Sequence, residues 1–496
     1  MAGRSADAHV ARSRSQRHRR GTSRIPRRWS IVAAIVMATA LPPIAIKTMQ
    51  MVRASRLPAL PELSRQPAAM REHLQGALAM ARQSPASVDA VGRACLAFHA
   101  DMFYEQAERC YAVAERLDLE AWRWPYYHAL LRGERGGGDA FVDTLRAVLS
   151  KAPRYGPAWW RLGDAEFKLG RYDRAVDAWH HAREAPEPDR IGSSPVHTPD
   201  VPLKAYASLG LARVALARSD ANGAIRVLER LVEESPRFGA AFRLLGDTLT
   251  ALGRTREGEQ ATSHANQLPA YAPYADPMVD ALALESRNAT FLLRQASEAD
   301  LATNAAWSEH LTRRALEFDP DNPDVLVKLG RLLRTLGRDE EALDYFLAYN
   351  KKLPGDFQGL AHIGSCLSDL GRPEQAEAYL RRALEGLDDA LTHYNLGVVL
   401  STTGRLDEAI AEYRKALDRN PADLNARNNL ATALARQGKL AAAIEVLRQV
   451  LARDPENGIA WANLQTIQSS RRIESAARSE RGSLTGSRTT EDRPRR

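Results

Sequence analysis

The sequence predicts an all-α fold: a superhelical solenoid of about ten helix-turn-helix units after a single N-terminal transmembrane helix. Three observations predict it. A pattern of small and apolar residues returns about every thirty-four positions, the stretches between show helical spacing, and a long apolar run follows an Arg-rich start.

The 496 residues carry 44% hydrophobic and 26% charged side chains, a folded composition. The net charge of +8 suggests nucleic-acid binding until it is divided along the chain. Residues 1–28 hold nine Arg against Asp7, and residues 471–496 hold eight Arg against four acids. The body between them is mildly acidic and lacks the basic face that phosphate binding needs, so no nucleic-acid partner is expected.

Trp29–Ile46, "WSIVAAIVMATALPPIAI", is free of charge until Lys47. Eighteen residues make about 27 Å of helix, just short of the roughly 30 Å hydrocarbon core. The basic flank lies N-terminal, which places residues 1–28 in the cytoplasm and the body on the outer, periplasmic side. The run reads as a retained anchor. The alternative is a signal cleaved near Ala40, because Ala38–Ala40 has the small-x-small pattern and Pro42-Pro43 interrupt a helix. Pro58, Pro61 and Pro67 mark the linker that follows.

The repeat is read from Leu396-Gly397, answered by Leu430-Ala431 and Leu464 downstream and by Ile363-Gly364 and Leu329-Gly330 upstream. Twelve residues after each small residue stands an alanine: Ala342, Ala376, Ala409 and Ala443. In "LDEAIAEYRKALDRNP", Leu406, Ala409, Ile410, Tyr413, Ala416 and Leu417 share one helix face. Gly404 is placed to cap the preceding helix and Pro421 to end this one. Gly397 within a helix costs about 1 kcal/mol relative to Ala. The expected reason is close helix approach, with Ala409 and Ala416 as the opposing small residues.

This pattern resembles the tetratricopeptide repeat over residues 88–457, with the W-x2-L-G signature nearly intact at Trp159–Trp179. Units are expected to begin near Val88, Glu120, Gly156, Leu203, Gly239, Ala289, Pro323, Phe357, Ala390 and Leu424. The organisation follows: a basic tail (1–28), the membrane helix (29–46), a linker and leading helix (47–87), and a first block (88–272). A spacer (273–288), a second block (289–457), a polar-faced capping helix (458–473) and a disordered tail (474–496) complete it. Residues 190–202 are expected as an inserted Pro/Ser loop.

Catalytic signatures are missing: the chain has no H-E-x-x-H, G-x-S-x-G or Walker loop, and no cysteine pair at metal-ligand spacing. No enzyme activity, cofactor or metal is expected, and His180-His181 reads as a surface pair. Cys95 takes the small-residue place of its unit and Cys110 lies on the partner helix. The two form a disulfide in an oxidising compartment or stay as buried thiols, while Cys366 is expected in the core.

The resemblance implies that first helices line a concave groove that holds peptides. Asn395, Asn429 and Asn463 recur at intervals of thirty-four. With first helices on the order of 10 Å apart, one Asn meets an extended backbone about every third residue. The series resembles the Asn ladder of O-GlcNAc transferase repeats; alternatively it holds neighbouring turns. Tyr394, Asn428, His362, Lys328 and Arg331 are expected to share the groove. Val398, Thr432 and Tyr394 stand where a chaperone-tail carboxylate clamp would need Lys, Arg and Asn. At the other end, Trp124 and Trp159 are assigned to the core, and Trp122, Trp160 and Arg161 to the groove, where the indoles serve binding or packing. The expected function is a non-catalytic scaffold or assembly factor for extended segments of protein partners at the membrane. The alternative is an accessory subunit of an envelope glycosyl-transfer or polymer-export complex.

Overall fold

The computed structural model describes residues 56–188, 201–268, 274–301 and 304–469, which form helices and connecting turns without a strand. The expected basic tail, membrane helix, most of the 190–202 loop and the C-terminal tail lie outside the described residues. Among the described residues no helix is long and apolar enough to cross a membrane.

A leading helix α1 (Ala68–Gln83) precedes the paired helices. The first block pairs α2 (Val88–Ala100) with α3 (Tyr104–Leu117), α4 (Arg123–Glu134) with α5 (Gly138–Lys151), and α6 (Gly156–Lys168) with α7 (Tyr172–Glu184). It continues with α8 (Leu203–Ala217) and α9 (Ala221–Glu234), then α10 (Gly239–Ala251) and α11 (Thr255–Asn266). A short helix α12 (Pro277–Glu285) stands in the expected spacer. The second block pairs α13 (Ala289–Leu301) with α14 (Ala305–Phe318), α15 (Pro323–Thr335) with α16 (Asp339–Lys352), and α17 (Phe357–Asp369) with α18 (Pro373–Ala383). It ends on α19 (Ala390–Thr402) with α20 (Leu406–Arg419), α21 (Leu424–Arg436) with α22 (Leu440–Arg453), and a last helical stretch α23 at 458–469. Nine first helices start at the expected residue. The unit expected near Glu120 starts at Arg123, because Asp118 accepts hydrogen bonds from the N–H groups of Glu120 and Ala121 and holds that stretch as a turn.

From α1 to α11 and again from α12 to α22 each helix packs on its neighbour in sequence, and successive first helices also touch: α2 with α4, α6 with α8, α15 with α17, and α19 with α21. The turns within units use the left-handed region. Gly170, Gly253, Gly337, Gly371, Gly404 and Gly438 take φ between 69° and 82°, where a glycine carries no steric penalty. Met102 and Ser219 occupy the same kind of turn with φ of 66° and 63°.

Where the small residue of a first helix is Gly163, Gly210, Gly330, Gly364 or Gly397 it is a socket, which corrects the expectation of facing alanines. A Cβ on Gly397 would lie 2.7 Å from the ring of Tyr413, and one on Gly330 would lie 2.7 Å from Phe346. Leu380 fills the notch at Gly364. Trp179, 1% exposed, fills two notches at once, over Gly163 in its own unit and Gly210 in the next. Because a large second-helix side chain enters the space a side chain would need, the glycines set helix spacing through close packing. Cys95 and Cys110 face each other across α2 and α3, their Cα atoms 5.2 Å apart, and are joined as a disulfide. Cys366 is buried and unbridged.

The two blocks do not simply follow one another. One apolar cluster contains Leu74, Val91, Tyr127 and Val142 from the start of the first block together with Met278, Leu282, Phe291, Leu292 and Trp307. The chain doubles back: α12 lies on α2, and the second block starts beside the beginning of the first. Ser286 Oγ donates to the carbonyl of Ala100 (2.8 Å), and Asp101 accepts the Arg287 N–H (2.7 Å). Arg294 of α13 pairs with Glu134 of α4 at 3.1 Å. Separate clusters fill α8–α10 and the units from α15 onward.

The far end departs from the polar-faced cap expected for 458–473. Ile459 and Trp461 are 60% and 54% exposed. Trp461 donates its Nε1–H to the Pro455 carbonyl at 2.9 Å, as Trp159 does to Pro153 at 2.8 Å. Trp159 is further covered by stacking on His181 of the following helix, 4.3 Å between ring centroids, and Trp461 has no such partner among the described residues. Trp159 is therefore a half-buried residue, not the core residue expected, whereas Trp124 is buried against Gly92 as expected.

Candidate functional site

The residues expected to line one groove fall on two inner surfaces of opposite character. On the first block, the groove is filled by the chain's own segment 274–288. Asp276, 2% exposed, presents its carboxylate to three residues of α4 and α6 and the turn between units. Tyr126 donates its hydroxyl to Oδ2 and Tyr155 donates to Oδ1 at 3.0 Å. Arg161 donates from Nε (3.2 Å) and from a terminal nitrogen (3.1 Å). Burial disfavours the Arg161 cation, but Tyr126 and Asp276 outweigh it and hold the guanidinium charged. Burial and the neighbouring Asp276 carboxylate raise both tyrosine hydroxyls, so they remain donors. Asp276 also caps α12, accepting the Met278 N–H at 3.0 Å, and Pro277 at the first helical position needs no N–H partner.

Two residues earlier, Tyr274 enters an aromatic slot, its ring centroid 6.1 Å from Trp160 and 5.7 Å from Tyr206. Its hydroxyl donates to Glu187 at 2.9 Å. At the other end of the segment, His73 of α1 stands between Asp101 (3.1 Å) and Glu285 (2.9 Å). Burial pulls the imidazolium down, yet the two carboxylates prevail and raise its pKa to about 9. Asp280, pushed up to about 7 by burial and by Asp276, keeps one oxygen buried without a hydrogen-bond partner.

Trp160 and Arg161 hold the chain's own strap, Trp160 through Tyr274 and Arg161 through Asp276. Trp122 precedes α4 as its N-cap and packs on Tyr155, 4.6 Å between centroids. Trp160 and Arg161 are corrected from open groove residues to packing against this strap, and Trp122 to packing on Tyr126 and Tyr155 beside it, because an aromatic surface gains more by burial than by standing in water. Sequence reasoning missed Tyr155, Tyr274 and Asp276. The Asp-Pro pair at 276–277 was the available signal, since it starts a helix inside a stretch read as spacer.

The inner surface of the second block has no such cover among the described residues. Asn395 Nδ2 donates to Ser365 Oγ (3.3 Å), Asn429 Nδ2 to the Tyr394 hydroxyl (3.1 Å), and Asn463 Nδ2 to Thr432 Oγ1 (3.4 Å). Each bond crosses from one first helix to the one before it and uses one of the amide's two N–H groups. The ladder therefore ties neighbouring units and keeps donor and acceptor capacity at the surface. Asn428 is corrected out of the groove: it is 3% exposed and bonds to Asn457 between turns (3.4 Å). Lys328 is tied to the preceding unit through Asp300 and Ser297, while Arg331 is exposed. His362 stacks on Phe346 at 5.1 Å, and burial with Arg331 and Arg334 nearby lowers its pKa to about 4, so it is neutral at neutral pH.

No group of three or more His, Cys, Asp or Glu able to hold a metal occurs among the described residues. A cavity of about 500 Å³ lies away from both inner surfaces, between α5, α6 and α7, lined in part by Trp159, Glu166 and His181. Its buried Glu166 is already engaged by Arg146 and Arg171.

Comparison with known proteins bears on the family. Models of the tetratricopeptide repeat match residues 128–186, 209–261 and 291–357, residues 356–421, and residues 402–467. Protein FlbA of Caulobacter vibrioides is 30% identical over 116 residues, covering 23% of this chain and 20% of that protein. BBSome complex member BBS4 of Bos taurus is 28% identical over 121 residues, 24% of this chain and 23% of that protein. The chain thus spans about a fifth of the length of these relatives. Among solved structures, MamA from Desulfovibrio magneticus RS-1 aligns with 19% identity and a TM-score of 0.32, over 34% of this chain and 97% of that one. YrrB, a tetratricopeptide protein described as having an unusual peptide-binding site, aligns with 21% identity and a TM-score of 0.32, over 38% of this chain and 98% of that one. With repeat models matched across more than half of its residues, the chain belongs to the tetratricopeptide repeat family.

Proposed function

We propose that this chain is a non-catalytic scaffold or assembly factor that holds extended segments of protein partners along the inner surface of its second block. The observation that carries the reading is the ladder of Asn395, Asn429 and Asn463, placed on successive first helices with hydrogen-bonding capacity left over. Such amides bond to a peptide main chain, which every sequence offers, so the surface selects extended conformation more than side chains. Exposed Arg331 at one end adds a preference for acidic flanks. Residues 29–46 would hold the body to a membrane, with the basic tail on the cytoplasmic side and the repeats outside.

The test is crosslinking and pulldown from intact membranes with Asn395→Ala, Asn429→Ala and Asn463→Ala combined. Loss of the captured partner is expected, with the chain still folded and its melting temperature lowered only by the three lost bonds between units. Capture that survives the triple substitution refutes the ladder as the peptide site. Blotting for the N-terminus in washed membranes tests the anchor, which falls if the Arg-rich segment is absent.

A further inference from the structure

The segment that fills the first block has the form of a bound ligand. It runs from α8 back to α1, against the order of the first helices it crosses, and touches each through a different chemistry. Tyr274 sits in the Trp160–Tyr206 slot, Asp276 in the Tyr126–Tyr155–Arg161 receptor, and Met278 and Leu282 are 1% exposed against α2 and its neighbours. A carboxylate with two phenolic donors and a guanidinium from separate units is held far more specifically than packing alone requires, because charge-assisted bonds are directional.

The segment is also unevenly secured. Its C-terminal end is latched by Ser286 on Ala100, by Arg287 and Asn288 on Asp101, and by Glu285 on His73. Its N-terminal part carries Asp280, whose second oxygen is buried without a partner. Among the described residues the one guanidinium bonded to Asp276 is that of Arg161. An unsatisfied buried acceptor costs about 1–3 kcal/mol, so the first turn of α12, between the Asp276 receptor and the latch, is the part held at a loss.

We propose that the inner groove of the first block is a recognition site for segments with an aromatic residue followed two positions later by aspartate, and that Tyr274–Asp280 is its resident, exchangeable occupant. A partner segment of that chemistry replaces the resident while the latch at 285–288 stays closed. The resident competes as a tethered ligand at an effective concentration on the order of millimolar, so a partner binds at an apparent affinity reduced by the fraction of open groove. This site is separate from the asparagine ladder, and the two readings fail independently.

The experiment uses the full chain and a labelled peptide with the sequence of residues 274–280, YADPMVD, followed by fluorescence anisotropy. Tyr274→Ala combined with Asp276→Ala should raise the affinity for the peptide at least tenfold over the unsubstituted chain. Adding Arg161→Met, or replacing by alanine the peptide aspartate that corresponds to Asp276, should abolish that gain, and Asn395→Ala should leave it unchanged. Equal binding by the unsubstituted and doubly substituted chains overturns the proposal, as does a gain that survives Arg161→Met. If the double variant unfolds, Asp276→Asn takes its place. A chain that unfolds with that substitution too shows the segment to be a fixed part of the core, and exchange is refuted.

Discussion

The two blocks are built from the same repeat and present opposite inner surfaces. The first is lined by Trp122, Tyr126, Tyr155, Trp160 and Tyr206 and is covered by the chain's own segment. The second is lined by Asn395, Asn429 and Asn463, which bond to Ser365, Tyr394 and Thr432 of the preceding units. Large aromatic faces lose free energy in contact with water and need an occupant, whereas a polar ladder bonded in part to its neighbours can leave its remaining donors and acceptors to water. The repeat geometry thus supplies a groove, and the side chains on it decide whether the groove is core or surface.

That comparison is broken hardest at Trp179. Trp179→Ala empties the notches of Gly163 and Gly210 together and should cost about 3–5 kcal/mol. Calorimetry should show the loss in the transition of the first block alone; a shift of the whole melting curve would show the blocks to unfold as one unit. Next, reduction of Cys95–Cys110, which closes a loop of 15 residues, should lower the first transition by about 3 kcal/mol and leave the second unmoved. A mass measurement of blocked, unreduced protein should accordingly find one alkylated thiol. Asp276→Ala removes hydrogen bonds to a charged carboxylate worth about 1.5–3 kcal/mol each; amide exchange at 274–288 should accelerate while that of α19–α22 stays constant.

A subtler difference lies in pH. His73 has a folded pKa of about 9, above its ordinary 6.5, so its contribution is complete below 6.5 and lost as pH rises through 9. Asp280 has a folded pKa of about 7, above its ordinary 3.8, so its contribution is complete below 3.8 and lost as pH rises through 7. Both act in the same direction, and exchange at 274–288 should quicken between pH 5 and 9. Asp280→Asn should remove the step near 7 and leave the one near 9. Smallest, Ser219→Gly relieves a left-handed residue and should stabilise the first block by about 1 kcal/mol, measured as a small rise in melting temperature.

The repeats were legible because glycine, alanine and proline recur at fixed offsets, and local sequence decides where such helices begin and end. The socket role of Gly397 was half legible: its need for space was plain, but which side chain enters depends on helix rotation, which brings Tyr413 rather than Ala409 over it. The inner surface of the first block was misread as open because the residue that closes it, Asp276, lies 115 positions from Arg161 and 150 from Tyr126. Contacts at that distance leave no periodic trace. Asn428 was misplaced for a local reason, since it stands one position before the ladder and the helix turns it toward Asn457.

The doubling back of the chain also fixes an order of events during synthesis. His73 and Glu285 are 212 positions apart, so at roughly 5–20 residues per second the ribosome needs about 10–40 s to deliver one after the other. For that interval α1 and α2 expose the faces later covered by Met278, Leu282 and Phe291. A chain stalled before residue 274 would carry an aromatic trough with no lining of its own, a form suited to chaperone capture and prone to self-association.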